Sequence, residues 1–208
     1  MNNIIYKIKQ FPITYGMMII CIIVYIISFL FYGIEMNALQ GLAFGGYNPL
    51  YIYYEYEYYR LVTSQFIHFG LMHLIMNIYS MQGIGCFLER IFKKRDYLFI
   101  ICSSLLSTTL IPYILFLIIG FGANSVSGGL SGVIFGMIGS IASLALFYKN
   151  IFLQYFKSLS SSLLMMFFIS FLIPSISLSG HICGFIGGFA STCILLYLKN
   201  INSKRIYH

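Results

Sequence analysis

Charge is what this chain has least of. Only 8% of its 208 residues are charged while 60% are hydrophobic, where a soluble globular domain carries about 25% charged residues. A chain of this length cannot hide so many apolar side chains in one small core, so a soluble fold is excluded and lipid is the natural solvent. There are five acidic residues, and none lies in the middle of an apolar run. That absence, with no internal repeat, speaks against a transporter or channel. Cysteine is present five times, an odd number, with no CxxC pair and no Cys/His cluster. Neither a disulfide framework nor a metal site is expected, and no cofactor. No small-residue cleavage site follows the first apolar run, so it is expected to stay as a span rather than leave as a signal peptide. No soluble domain or long linker breaks the pattern, so residues 1–208 are expected to form a single membrane domain.

The few charges that exist mark out the helices. Uncharged stretches lie between Lys9 and Glu35, between Arg60 and Glu89, over 97–148 and over 158–198. A spanning helix needs about 20 residues. The two short stretches therefore hold one helix each and the two long ones two each, at approximately 12–32, 66–87, 97–118, 130–148, 159–177 and 180–198. The third and fourth are separated by Gly120-Phe121-Gly122-Ala123-Asn124-Ser125-Val126-Ser127-Gly128, a Gly/Ser/Asn loop. In this six-helix arrangement every basic residue except Arg60 falls on one side, which the positive-inside rule makes cytoplasmic. Both termini are then inside. The net charge of +7 is explained by topology, and no nucleic-acid partner is expected.

The first outside loop, from Gly33 to about Gln65, is too long for a simple connection. It carries Tyr51, Tyr53, Tyr54, Tyr56, Tyr58 and Tyr59, and tyrosine favours the membrane–water boundary. The segment is expected to lie on the outer leaflet, where it could also shape substrate entry.

With this topology the second, fourth and sixth helices run from outside to inside. His73 and Asn77 lie in the outer part of the second, Ser131 begins the fourth and His181 begins the sixth. Polar groups are costly in a membrane and usually face the protein interior. His73 and Asn77, spaced i and i+4, share a helix face. Gly132, Gly136 and Ser140 repeat at four-residue spacing down the fourth helix, as Gly180, Gly184 and Gly188 do down the sixth. Such small-residue seams let two helices approach closely in lipid, which would bring Ser131 and His181 together.

A serine hydroxyl needs a base to become a nucleophile, and His181 is the candidate. Glu89 and Asp96 lie at the inner face and Glu35, Glu55 and Glu57 in the first loop. No carboxylate is placed to complete a triad, so a Ser–His dyad is expected. The oxyanion of a tetrahedral intermediate needs hydrogen-bond donors. The Asn77 amide, the His73 ring and the backbone N–H of Ser131, unpaired in the first turn of its helix, can supply them. His68 and His208 are read as a loop-edge histidine and a solvated tail.

These residues resemble a known pattern. Arg60-Leu61-Val62-Thr63-Ser64-Gln65-Phe66-Ile67-His68, His73-x-x-x-Asn77, Gly85…Glu89, Gly129-x-Ser131-Gly132 and His181-x-x-Gly184-x-x-x-Gly188 occur in the order found in rhomboid intramembrane serine proteases. The resemblance spans nearly the whole chain. It implies an all-α integral membrane protein, a compact six-transmembrane-helix rhomboid-like bundle of bacterial type with a membrane-associated first outer loop. It implies Ser131 as nucleophile, His181 as general base, and His73 and Asn77 as oxyanion donors. Gly129, Gly132, Gly136, Gly184 and Gly188 would be motif and packing residues.

There are three departures. Leu130 stands where the family usually has Ala, and is expected to crowd the site. Tyr59 replaces a usual Trp. Phe135 stands where Tyr is frequent, and can stack on the His181 ring without offering a hydroxyl. The implied activity is hydrolysis of a peptide bond in or near the outer part of a single-span substrate's helix, at the cell membrane, with the site toward the outer face. A helical peptide bond is shielded, so the substrate must unwind locally, and water must reach the site through an outward polar cavity that Asn124, Ser125 and Ser127 could help line. The alternative is a rhomboid-like pseudoprotease that holds client helices without cutting them.

Overall fold

A computed structural model describes residues 2–159 and 177–206. Among these the chain is helical, with no strand beyond isolated bridges. The elements are α1 (Asn2–Gln10), α2 (Pro12–Tyr32), α3 (Ala38–Ala43), α4 (Pro49–Tyr54), α5 (Arg60–Thr63), α6 (Leu71–Ser80), α7 (Cys86–Ile91), α8 (Lys94–Ile119), α9 (Ser131–Phe147), α10 (149–159) and α11 (Leu178–Ile206). α6 and α7 are joined by a widened π turn, Met81–Gly85, into one continuous rod.

Among the described residues four helices are long and apolar enough to cross a membrane: Pro12–Tyr32, Leu71–Ile91, Lys94–Ile119 and Leu178–Lys199. α9, at 17 residues, is shorter. It is also the most enclosed, with Ser131 to Ile141 buried without interruption and α8 and α11 packed against it. Because its neighbours are protein and not lipid, it need not match the bilayer thickness. The fifth expected span, 159–177, lies almost wholly outside the described residues.

The outward faces fit lipid. α2 exposes Ile19, Ile23, Ile26, Ile27 and Leu30 while burying Thr14, Cys21 and Ser28. Exposing apolar groups and burying polar ones is the arrangement that a hydrocarbon solvent favours.

Several boundaries differ from the sequence expectation. The second span starts at Leu71, not 66, because Gln65–Phe69 turns through an extended Ile67 to pack under the site, and Gly70 precedes the helix. The expected loop from Gly33 to Gln65 contains α3, α4 and α5. Asn37 caps α3 reciprocally with Gln40, and the Asn48 side chain caps α4, whose first residue is Pro49. The stretch between the expected fourth and fifth spans is helical, as α10.

The basic end of the bundle is tied by one carboxylate. Glu89, buried, accepts the backbone N–H groups of Ile13 (3.0 Å) and Thr14 (2.9 Å). These are orphan donors of the first turn of α2, where a negative charge is favoured. The Thr14 hydroxyl pairs with that of the fully buried Tyr97 at 3.0 Å. Gly85 sits where a Cβ would lie 2.9 Å from Thr14 Cγ2 and 3.0 Å from Tyr97 Oη, so the π turn closes on these two side chains.

Candidate active site

Helix packing sets the central distance. A Cβ on Gly184 would fall onto the Gly132 carbonyl, one on Gly188 onto the Gly136 carbonyl, and one on Gly139 onto the Phe185 carbonyl. The backbones of α9 and α11 are in contact, as small-residue seams permit. Further along, the Thr192 hydroxyl donates to Ser140 Oγ at 2.7 Å, which continues the four-residue row of α11 one step past Gly188. Gly180 does not face α9; its neighbours are Ser177 and Thr108.

At the top of this seam His181 Nε2 lies 2.7 Å from Ser131 Oγ, and both residues are buried. Ser131 is the first residue of α9. His181 lies in the first turn of α11, where Ser177 holds the start: its Oγ accepts the Gly180 N–H (3.0 Å) and its carbonyl accepts the His181 N–H (3.0 Å). Phe135, one turn below Ser131, stacks on the imidazole with centroids 4.2 Å apart and planes 10° from parallel. The ring therefore has one wall of α9 behind it and the serine in front.

Gly129 brings the second helix into the site. Its φ of +117° is open to glycine and strained for other residues. A Cβ there would meet His73 Nε2 at 2.7 Å and Asn77 Nδ2 at 3.9 Å. Both side chains thus converge on the backbone two residues before Ser131. Asn77 donates one amide hydrogen to the His73 carbonyl (2.9 Å), leaving a second.

Leu130 does not crowd the site. It is fully buried in the main apolar core, among Val133, Ile134 and Met81. The first residue of a helix and the one before it point about 100° apart, so Ser131 facing the site turns Leu130 away.

A polar cavity of about 20 Å³ adjoins the pair, lined by Tyr47, Ser64, Gln65, Thr108, Ser131 and His181 among others. Tyr47 Oη, Ser64 Oγ and Gln65 Oε1 are buried there with no hydrogen-bond partner among the described residues. Burial pushes the Tyr47 phenol up from its ordinary value, so it stays protonated and able to donate. Ser127 also lines this cavity; Ser125 and Ser127 line a larger one of about 350 Å³ beside it, and Asn124 lines neither.

Four contributors had no role assigned from the sequence: Arg60, Tyr47, Ser64 and His68. Arg60 stood there as the odd basic residue and as the first position of the family pattern, with no structural role. It is buried, donates to the Leu42 and Gly46 carbonyls at 2.7 Å each, pairs with Glu57 and lies 4.9 Å over the Tyr51 ring. It knits the first loop. That loop reaches the site through Tyr47, whose backbone exchanges two hydrogen bonds with Ser127. Ser64 positions the Gly129 N–H through its carbonyl at 3.0 Å. His68 is not a loop-edge residue. It is 1% exposed, its ring centroid is 5.0 Å from that of His73, and its Nδ1 faces the Phe66 carbonyl at 3.1 Å. Burial, reinforced by His73, holds it down at about 3, so it is neutral at physiological pH. A lone Arg beside Tyr and Glu was the available signal for the first; nothing in the spacing signalled the burial of His68.

Among the described residues no group of His, Cys, Asp or Glu is arranged to hold a metal ion.

Known proteins provide the context for this geometry. The Rhomboid domain profile matches residues 55–198. The chain is 30% identical over 148 residues to Rhomboid protease GluP of Bacillus subtilis (strain 168), covering 67% of this chain and 26% of that protein. It is 26% identical over 209 residues to RHOMBOID-like protein 1 of Arabidopsis thaliana, covering 90% of this chain and 50% of that one. The chain thus spans about a quarter and a half of these relatives. The profile covers most of the chain and includes the Ser131–His181 pair, His73 and Asn77; this multi-pass membrane protein belongs to the rhomboid family.

Proposed function

We propose that the protein is an intramembrane serine protease working through a Ser131–His181 dyad. The 2.7 Å approach of Nε2 to Oγ, at the end of a glycine seam, carries this reading. His181 accepts the hydroxyl proton as Ser131 Oγ attacks the scissile carbonyl, then returns it to the leaving amine. His73 Nε2, the second amide hydrogen of Asn77 and the Ser131 N–H stabilise the oxyanion. The stacked Phe135 fixes the plane of the base. The acyl-enzyme is then hydrolysed, and the water sits in the small cavity beside the pair. A cavity of about one probe sphere holds one water if two to four polar groups face it, and Tyr47, Ser64 and Gln65 are three.

The complete bundle has six spans with both termini cytoplasmic and the site toward the outer face of the cell membrane. The short α9 recesses Ser131 below that face, and the tyrosines of the first loop rest at the outer leaflet. Substrates are single-span membrane proteins whose helices unwind locally near the outer end.

The test is cleavage of a labelled single-span protein by the purified chain in detergent, beside Ser131→Ala. Cleavage by the wild type alone supports the dyad. Cleavage by neither, over several substrates with Gly or Pro in the span, moves the assignment to a client-binding pseudoprotease. Equal cleavage by both means that Ser131 is not the nucleophile.

A further inference from the structure

A second cavity, of about 570 Å³, opens at the opposite, basic end of the bundle between the α1–α2 junction, the π turn and α10. That is the size of a small-molecule site. Its wall combines the charged Lys7 and Arg90, the polar Gln82 and Tyr15, and ring or apolar side chains such as Tyr155 and Ile138. Gln82 Nε2 donates to Tyr15 Oη at 3.1 Å, which holds both against the wall.

Two features indicate an anionic occupant. Neither Lys7 nor Arg90 is in an ion pair among the described residues, although Arg90 lies 5.4 Å over the Phe11 ring. Among the described residues no Asp or Glu lines the cavity, and both carboxylate oxygens of the adjacent Glu89 are committed to the start of α2. The apolar wall adds a requirement that a free anion does not meet. The occupant should carry a negative head and a hydrocarbon tail. α1 supports this placement, with Ile5 and Tyr6 exposed beside Lys7 and Lys9 in the pattern of a helix lying in a membrane interface.

We propose that this cavity binds one anionic phospholipid, its phosphodiester held by Lys7 and Arg90 and an acyl chain laid along Tyr155 and Ile138. The site rests on the placement of the chain in a bilayer and is independent of Ser131.

The test reads lipid directly. The full chain is extracted from vesicles of equal parts phosphatidylglycerol and phosphatidylcholine, and retained lipids are counted by native mass spectrometry. The wild type should keep one phosphatidylglycerol with a preference of about tenfold, as two cations near a headgroup allow. Lys7→Gln with Arg90→Gln should abolish the preference. Lys93→Gln with Lys94→Gln removes the same charge outside the cavity and should keep it. Gly83→Leu leaves the charges intact. Gly83 lines the cavity and a Cβ there meets nothing within 4 Å, so the added side chain fills the space and should expel the lipid; this variant decides the matter if the charge variant fails to fold. Equal retention of both lipids by the wild type overturns the proposal. So does a loss that follows net charge in both double variants, retention by Gly83→Leu, or displacement of the lipid by inorganic phosphate alone.

Discussion

The two ends of the bundle treat buried polarity in opposite ways. At the basic end it is paired: Glu89 with two N–H groups of α2, Thr14 with Tyr97, Gln82 with Tyr15. At the site end the pairing is incomplete. The buried side-chain atoms without a partner among the described residues are Tyr47 Oη, Ser64 Oγ, Gln65 Oε1, His68 Nε2 and Asn77 Oδ1, and all belong to this end. An unpaired buried polar group costs about 1–3 kcal/mol. One end thus contributes stability, and the other carries a cost that a water or a substrate carbonyl can relieve.

If that division holds, substitutions at the two ends should separate activity from stability. The largest effect belongs to Ser131→Ala and His181→Ala. Each should lower cleavage of a single-span substrate by about 10⁴-fold or more, and the double variant should be no worse, because the two act as a unit. Thermal unfolding followed by circular dichroism should hardly change. A double variant much worse than either single one would break the dyad.

Asn77→Ala comes next. It should reduce kcat by about 10²- to 10³-fold with KM nearly unchanged, the signature of an oxyanion donor. Its unfolding midpoint should hold or rise, since an unpaired Oδ1 is removed. A large drop in the midpoint instead would make Asn77 a structural residue.

Glu89→Gln should do the reverse, destabilising by about 1–3 kcal/mol while the folded fraction cleaves at the wild-type rate. Denaturation in mixed micelles, with activity normalised to folded protein, separates the two. An intact fold with lost activity would contradict the division between the ends.

The smallest contrast tests the seam. Gly188→Ala places a methyl group on the Gly136 carbonyl and should cost about 1–3 kcal/mol. Gly83→Ala meets nothing and should be neutral or stabilise by up to about 1 kcal/mol. Equal midpoints for the two would mean that α9 and α11 separate readily.

What could be read in advance follows from periodicity. The four-residue rows of small residues marked where helices approach closely, since the helix repeat fixes which positions share a face. Of those rows, however, only Gly184 and Gly188 point at the α9 backbone, while Gly132, Gly136 and Gly180 meet Thr108, Ser104 and Ser177. Arg60, Tyr47 and His68 were obscure for the opposite reason. Their roles depend on a loop folding back over the bundle, through contacts such as Arg60 to the Leu42 carbonyl and Tyr47 to Ser127. No spacing rule encodes such contacts. Leu130 shows the same limit, since its bulk was legible and its direction was not.

The sequence by itself determined that the chain lives in lipid, because low charge and long apolar runs leave no other solvent, and it set the chemical types at positions 73, 77, 131 and 181. Tertiary structure alone decided that Ser131 Oγ and His181 Nε2 stand 2.7 Å apart, that unpaired hydroxyl and amide groups gather beside them, and that a basic, apolar-backed cavity opens at the other end. Composition follows from each residue separately. Distance depends on how two helices and a loop pack, and that is a property of the whole fold.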